Sequence, residues 1–353
     1  MKKPVIMVLW ALCVVMVFAA PFVFSSPAML SEVKEGLMEE MDGGYEEEEE
    51  YEEEAWLPNL LFASARAEEA EQTDVEEAVT EAEATEPLTS EYTLPLDFTV
   101  PPAPNPACYT DTGYEDESIR VRMEDMEEEG VIYHLAYVQI ASPTQLRTAT
   151  AGTKLTSTKA ATVSGMAKHN NAVVAMNGDN YQDHPQKTTF EYRMTEKIRR
   201  KANKTKDILI IDREGDFHMF VKSAGAMDYE GDIVNAWTFG PALVIDGQVQ
   251  TVDKEYGYNP NGKEPRAAFG QTGKLSYVFV IVEGRGKSSG VTHQELANFM
   301  GRIGCVQAFN FDGGNSGEMV FGETIYKAMP GGAERGLNDI IYFATAVPEE
   351  SWQ

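Results

Sequence analysis

CVQAFNFDGGNSGEMV, residues 305–320, decides the reading of this chain, because an apolar strand runs directly into Asp312, two glycines, Asn315 and Ser316. A strand that ends in an acid on a tight glycine turn presents that acid. Glycine permits positive φ and close approach of the backbone to a ligand, and Asn310, Asp312, Asn315 and Ser316 gather donors and acceptors around a small volume. An isolated Asp-Gly pair is ordinarily a solvated hairpin turn. What precedes this one argues for a site.

Tyr277 to Val282, YVFVIV, is a continuous apolar run of the kind buried on both faces of a sheet, and it ends at Glu283-Gly284-Arg285. A Gly/Ser loop leads to Thr292, which with Glu295 forms a capping-box pattern ahead of Leu296, Phe299, Met300 and Ile303 at helical spacing. Gly304 stops the helix and the next strand begins at once. The spacing therefore predicts a β-α-β unit of two parallel strands joined by a right-handed crossover, with Glu283 and Arg285 beside Asp312 in one cleft.

The runs NGDNY (177–181), FGPALVIDG (239–247), PRAAFG (265–270), EGR (283–285), GVTHQELANFM (290–300) and NFDGGNSGEMV (310–320) resemble, in order, the motifs of the phosphodiester glycosidase family. The resemblance covers about residues 130–347. It implies a domain that releases a sugar such as N-acetylglucosamine from a phosphodiester. Glu283, Asn315 and the pair Gly317-Glu318 depart from the residues commoner in that family, which bears on substrate identity rather than on fold.

Composition divides the chain into a segment over 1–30, an acidic, Pro-containing disordered stalk over 31–107 and a folded domain over 108–353. Lys2 and Lys3 precede an apolar stretch from Pro4 to Phe24, long enough to cross a bilayer as a helix. We expect an uncleaved membrane anchor, a cleaved signal segment being the alternative. Either way the rest of the chain is expected outside the cytoplasm. Residues 31–91 carry a net charge of −21 out of −28 for the whole chain, including Glu46 to Glu50, and such a segment repels itself. WLPNLLFA (56–63) interrupts it, and five prolines stiffen Pro95 to Pro106.

Residues 92–353 carry only −9, and nothing favours nucleic acid as a partner. The pattern is strand-rich: 131–140, 172–176, 207–212, 217–221, a hairpin about Asp246-Gly247 and 339–347, with helices over 158–170 and 292–303. The fold class is α+β, a strand-rich mixed sheet with few helices and the one β-α-β unit carrying the site. Cys108 and Cys305 are open to either a disulfide or a buried free thiol.

Hydrolysis of a sugar 1-phosphodiester needs a carboxyl group at the anomeric carbon and cations on the phosphate. Asp312 is the leading carboxylate, Glu283 the second, and Glu295 matches a family position although its capping role explains it equally well. Arg266 and Arg285 are the expected phosphate clamps, because a guanidinium binds two phosphate oxygens at once. Asn177, Asp179 and Tyr181 on one loop, and Asn310, Gly313, Gly314 and Ser316 on the other, are expected to bind sugar and phosphate. His184 lies on the first loop too. No cofactor is expected, with a divalent cation between Asp179 and Asp312 left open. These residues point to a tethered extracytoplasmic hydrolase acting on a glycosyl-phosphodiester in a surface or exopolysaccharide polymer. A non-catalytic glycan-binding module is the rival reading, and an envelope scaffold a weaker third.

Overall fold

The computed structural model describes residues 86–152, 154–155, 159–179, 189–327 and 334–352. The expected anchor, most of the expected stalk, and Tyr181 and His184 lie outside these. Residue contacts divide the chain into Met1–Val79 and Thr80–Gln353. Only the second falls within the description.

Among the described residues nineteen short strands form three sheets. The largest is built from β1 (Tyr109–Thr110), β2 (Gly113–Glu115), β3 (Ile119–Glu128), β4 (Val131–Ile140), β12 (Ala242–Ile245), β13 (Gln248–Val249), β14 (Arg266–Gly273), β15 (Ser276–Val282) and β16 (Gln307–Phe311). Their order is β1-β2-β3-β4-β15-β14-β16-β12-β13. A second sheet holds β7 (Phe190–Arg193), β8 (Glu196–Arg200), β9 (Asp207–Asp212), β10 (Phe217–Phe220) and β11 (Ile233–Phe239), in the order β10-β9-β11-β7-β8. The third contains β5 (Leu146–Thr150), β6 (Val174–Asn177), β17 (Met319–Phe321), β18 (Thr324–Lys327) and β19 (Asp339–Phe343). Among the described residues the α-helices are α1 (Val163–His169) and α2 (His293–Arg302).

The three sheets face one shared core. Phe269, Phe279, Phe309 and Phe311 from the large sheet meet Leu209 and Trp237 from the second and Val174, Met176, Met319 and Phe343 from the third. Each fully buried side chain of this size contributes on the order of 2 kcal/mol. On β15 the alternation is direct: Tyr277, Phe279 and Ile281 enter the shared core, while Val278, Val280 and Val282 pack under Leu296, Phe299 and Met300 of α2. Helix α1 covers the outer face of the third sheet through Val163, Met166 and Ala167.

This arrangement corrects one part of the expected β-α-β unit: the two strands joined by α2 run parallel, as expected, but are not neighbours. β15 and β16 are not hydrogen-bonded to one another, since β14 lies between them and pairs antiparallel with both. Among the described strands every pairing is antiparallel, so the sheet is not mixed. Burial of YVFVIV on both faces is real, but it arises from a helix laid over an antiparallel sheet rather than from parallel neighbours.

The folded unit also begins before Cys108. Leu94 is buried against the α1 side of the third sheet, and the guanidinium of buried Arg147 donates to the carbonyls of Pro95, Asp97 and Thr99. The proline-rich connector is therefore docked on the folded unit, with a bend at residues 96–98. Cys108 and Cys305 are free thiols, the latter pushed up to about 12 by burial.

Candidate active site

Antiparallel pairing of β16 with β14 sets Phe311 opposite Ala267, which brings Asp312 beside Arg266 and the chain just before it. Gly313 is required there: a Cβ on it would lie 2.5 Å from the Pro265 carbonyl oxygen and 2.8 Å from the Arg266 Cα. The turn is closed by Gly314 N–H donating to Pro265 O and Ser316 N–H donating to Gly313 O. From the third sheet, Asn177 Nδ2 donates to Asp312 O at 2.7 Å while its Oδ1 accepts from Glu318 N–H at 3.0 Å. Asn177 is thus the tie between the two glycine loops. Gly178 follows it against Asp339, whose carboxylate would lie 2.3 Å from an added Cβ.

Asp312 lines a cavity of about 400 Å³ with Tyr258, Glu264, Arg266, Arg285, Asn315, Ser316 and Arg335, and with Asn310, Gly313 and Gly314. Arg285 Nε donates to Glu264 at 2.7 Å and Nη1 to Asn315 Oδ1 at 2.9 Å, and the side chain remains partly exposed. Arg335 Nη1 donates to Ser316 Oγ at 3.2 Å. Two guanidinium groups therefore hold consecutive residues of the Asp312 turn.

The tyrosine on the far wall is tightly set. Tyr258 and Asn259 both adopt positive φ, 68° and 52°, a costly conformation for residues with side chains. The Tyr258 ring stacks on Phe239 with centroids 4.4 Å apart, and Lys206 Nζ lies 3.7 Å from its centroid. Burial, reinforced by the negative charges of Asp179 and Asp312, pushes its phenol far above the usual range, so it is neutral and able to donate. Asp179 is buried 3.7 Å from Arg193 Nη2, and Arg193 also binds Glu191 and Asp339 in the interior. Tyr258 thus feels both aspartates named from sequence.

Other expected roles are redistributed. Arg266 lines the cavity, but its five N–H groups already donate to Val291 O, Tyr258 O, Asn259 O, Gly262 O and His293 Nε2. Burial lowers it to about 10 and lowers His293 to about 3, so His293 is the neutral acceptor of that fork. Arg266 builds the wall rather than offering a fork to a phosphate. Glu283 does not line the cavity; its carboxylate is 2.9 Å from His134 Nε2, and His134 Nδ1 is 2.6 Å from Asp125. Glu295 closes the capping box of α2, accepting from Thr292 N–H at 2.7 Å, and pairs with Lys263 at 3.2 Å. Asn310 Nδ2 donates to Gly240 O. Tyr258, Glu264 and Arg335 were not legible from sequence, since each lies in an irregular segment with no periodicity to assign it. Among the described residues no group of three or more His, Cys, Asp or Glu side chains is arranged to hold a metal ion.

A family model described as phosphodiester glycosidase matches residues 170–344, the stretch that contains both glycine loops. The SPbeta prophage-derived uncharacterized protein YomE of Bacillus subtilis (strain 168) is 30% identical over 128 residues, 34% of this chain and 20% of that protein. The chain thus spans about one fifth of the curated relative's length. The catalytic domain of zebrafish N-acetylglucosamine-1-phosphodiester alpha-N-acetylglucosaminidase, auto-inhibited by its pro-peptide, superposes with a TM-score of 0.52 at 15% identity, covering 64% of this chain and 83% of that one. At that identity the likeness is one of fold. The ordered motifs and the family match agree: over residues 170–344 this chain is similar to the phosphodiester glycosidase family, and it shares the fold of that catalytic domain.

Proposed function

We propose that the protein hydrolyses the bond between the anomeric carbon of a sugar and the oxygen of a phosphodiester, on a surface polymer outside the cytoplasm. The observation that carries this reading is the convergence of Asp312, Arg285 and Arg335 on one cavity. The match of residues 170–344 to a family described as phosphodiester glycosidase supports it. The apolar run from Pro4 to Phe24 behind two lysines supports delivery across a membrane and tethering there.

In the reaction the C1–O bond breaks, its electron pair leaves with the phosphate, and the oxygen of water ends on C1. The diester enters with one negative charge and departs as a monoester that gains a second. Arg285, partly balanced by Glu264, together with Arg335 meets that growing charge, and such stabilisation is strongest where the charge develops. Asp312 serves the anomeric carbon as base or nucleophile, and Tyr258, neutral between two aspartates, donates a hydrogen bond into the same space.

The test is release of free sugar from a synthetic N-acetylglucosamine-1-phosphodiester. Asp312→Asn should lower kcat on the order of 100-fold or more with ligand affinity nearly unchanged, because the amide is nearly isosteric but neither base nor nucleophile. Equal kcat in variant and parent removes Asp312 from the chemistry. Binding without any turnover by the parent would instead favour a glycan-binding module.

A further inference from the structure

Residues 197–206, KIRRKANKTK, hold six cationic side chains and no acidic one, in a chain of net charge −28. Five of the six are left unexplained by the cavity. Arg200 has a structural task, donating to the carbonyls of Met227 and Tyr229. Lys197, Lys201 and Lys204 are exposed, on or just beyond β8, the outer strand of its sheet.

The topology leads this stretch to the cavity. Residues 201–206 carry the chain from β8 to β9 and so pass the ends of β7 and β11, roughly 14 Å at the usual strand spacing. Arg200 pairs with Phe190 at the start of β7, and Asp207 pairs with Phe239 at the end of β11, so the passage follows the sheet end at Phe239. Phe239 lines the cavity. Lys206, the last cation, lies over the ring of Tyr258, which stacks on Phe239. A run of positive charge therefore starts on an exposed strand and ends at the cavity wall.

We propose that residues 197–206 are a cationic track for a phosphodiester-linked polyanion, holding the flanking repeats of the polymer whose reactive sugar lies at Asp312. The inference rests on the proposed hydrolysis for its substrate class and extends it from a single linkage to a chain. A monomeric diester is smaller than the path from Lys197 to Asp312 and gains nothing from it. A polymer with repeated phosphates meets several cations in succession, and the attraction weakens as salt rises.

The experiment compares the intact chain with its Lys197→Gln/Lys201→Gln/Lys204→Gln variant, whose three changes are confined to exposed side chains. Two substrates are used, a soluble N-acetylglucosamine-1-phosphodiester and an oligo(glycerol phosphate) bearing the same sugar phosphodiester. The expected result is a rise of about tenfold or more in KM for the oligomer at low salt, a shallower salt dependence, and kcat/KM for the small diester within about twofold. Equal effects on both substrates, or none on either, overturn the track. Binding of unmodified oligo(glycerol phosphate), with neutral dextran as control, separates the two levels of the argument. If neither substrate is cleaved by the parent, the hydrolysis reading fails, while a tenfold or greater loss of oligomer affinity in the triple variant still sustains the track. No oligomer binding by the parent at low salt overturns it.

Discussion

Among single residues, the two cavity arginines separate what sequence can tell from what it cannot. Arg285 was legible because its strand and the strand that ends at Asp312 finish at the same edge of the sheet, and that holds although β14 stands between the two. Arg335 was not, since nothing in GGAERG signals where the segment goes. It is fixed by contacts distant in sequence: Leu337 pairs with Ala161, and Glu334 caps α1 through Ser164. Arg285→Lys keeps the charge and loses the fork. We expect kcat/KM for the charged diester to fall by roughly 10-fold to 100-fold, with much less change on an uncharged aryl glycoside, where no anion needs holding. Parallel losses on both substrates would take Arg285 out of phosphate binding.

At the scale of elements, α2 shows why a family position is not yet a role. The Thr292 hydroxyl accepts from Glu295 N–H at 3.1 Å and the Glu295 carboxylate returns the bond, which satisfies two donors that the first turn leaves open. Thr292→Ala should cost about 1 kcal/mol, seen as a fall in Tm of about 2–4 °C. Glu295→Gln, which can preserve the box, should leave kcat within about twofold; a hundredfold loss would return Glu295 to catalysis. The helix itself and the strands at 131–140 and 207–212 were readable because their periodicity is local. The order of the strands was not, because two-sided burial under a helix looks the same in sequence whether the two strands that the helix joins are neighbours or have a third strand between them.

Across the whole molecule, stability should carry the mark of Glu318, buried beneath the Asn177 tie. Burial, and then the hydrogen bond and charge of Glu334, push its carboxyl up to about 9, from an ordinary value of 4.5. Between those values the unfolded chain has released this proton and the folded one retains it, so the contribution of Glu318 to stability declines as pH rises through that window. Glu318→Gln, which titrates in neither state, should gain Tm relative to the parent on going from pH 5 to pH 8; a constant difference would place an ionised Glu318 in the native fold. Sequence shows Glu318 only as a departure from the family pattern, because its neighbour Glu334 arrives from sixteen residues away. The Arg266 fork has a different consequence, one of mechanical compliance. A single guanidinium gathers the carbonyls of Tyr258, Asn259, Gly262 and Val291 and the ring of His293, so that side of the cavity behaves as an anvil. Arg285 and Arg335, by contrast, line the same cavity with solvent-facing side chains, each held to the Asp312 turn by one hydrogen bond. On the proposed reaction, adjustment to substrates of differing bulk would therefore fall to the two arginines, while the Arg266 wall keeps its shape.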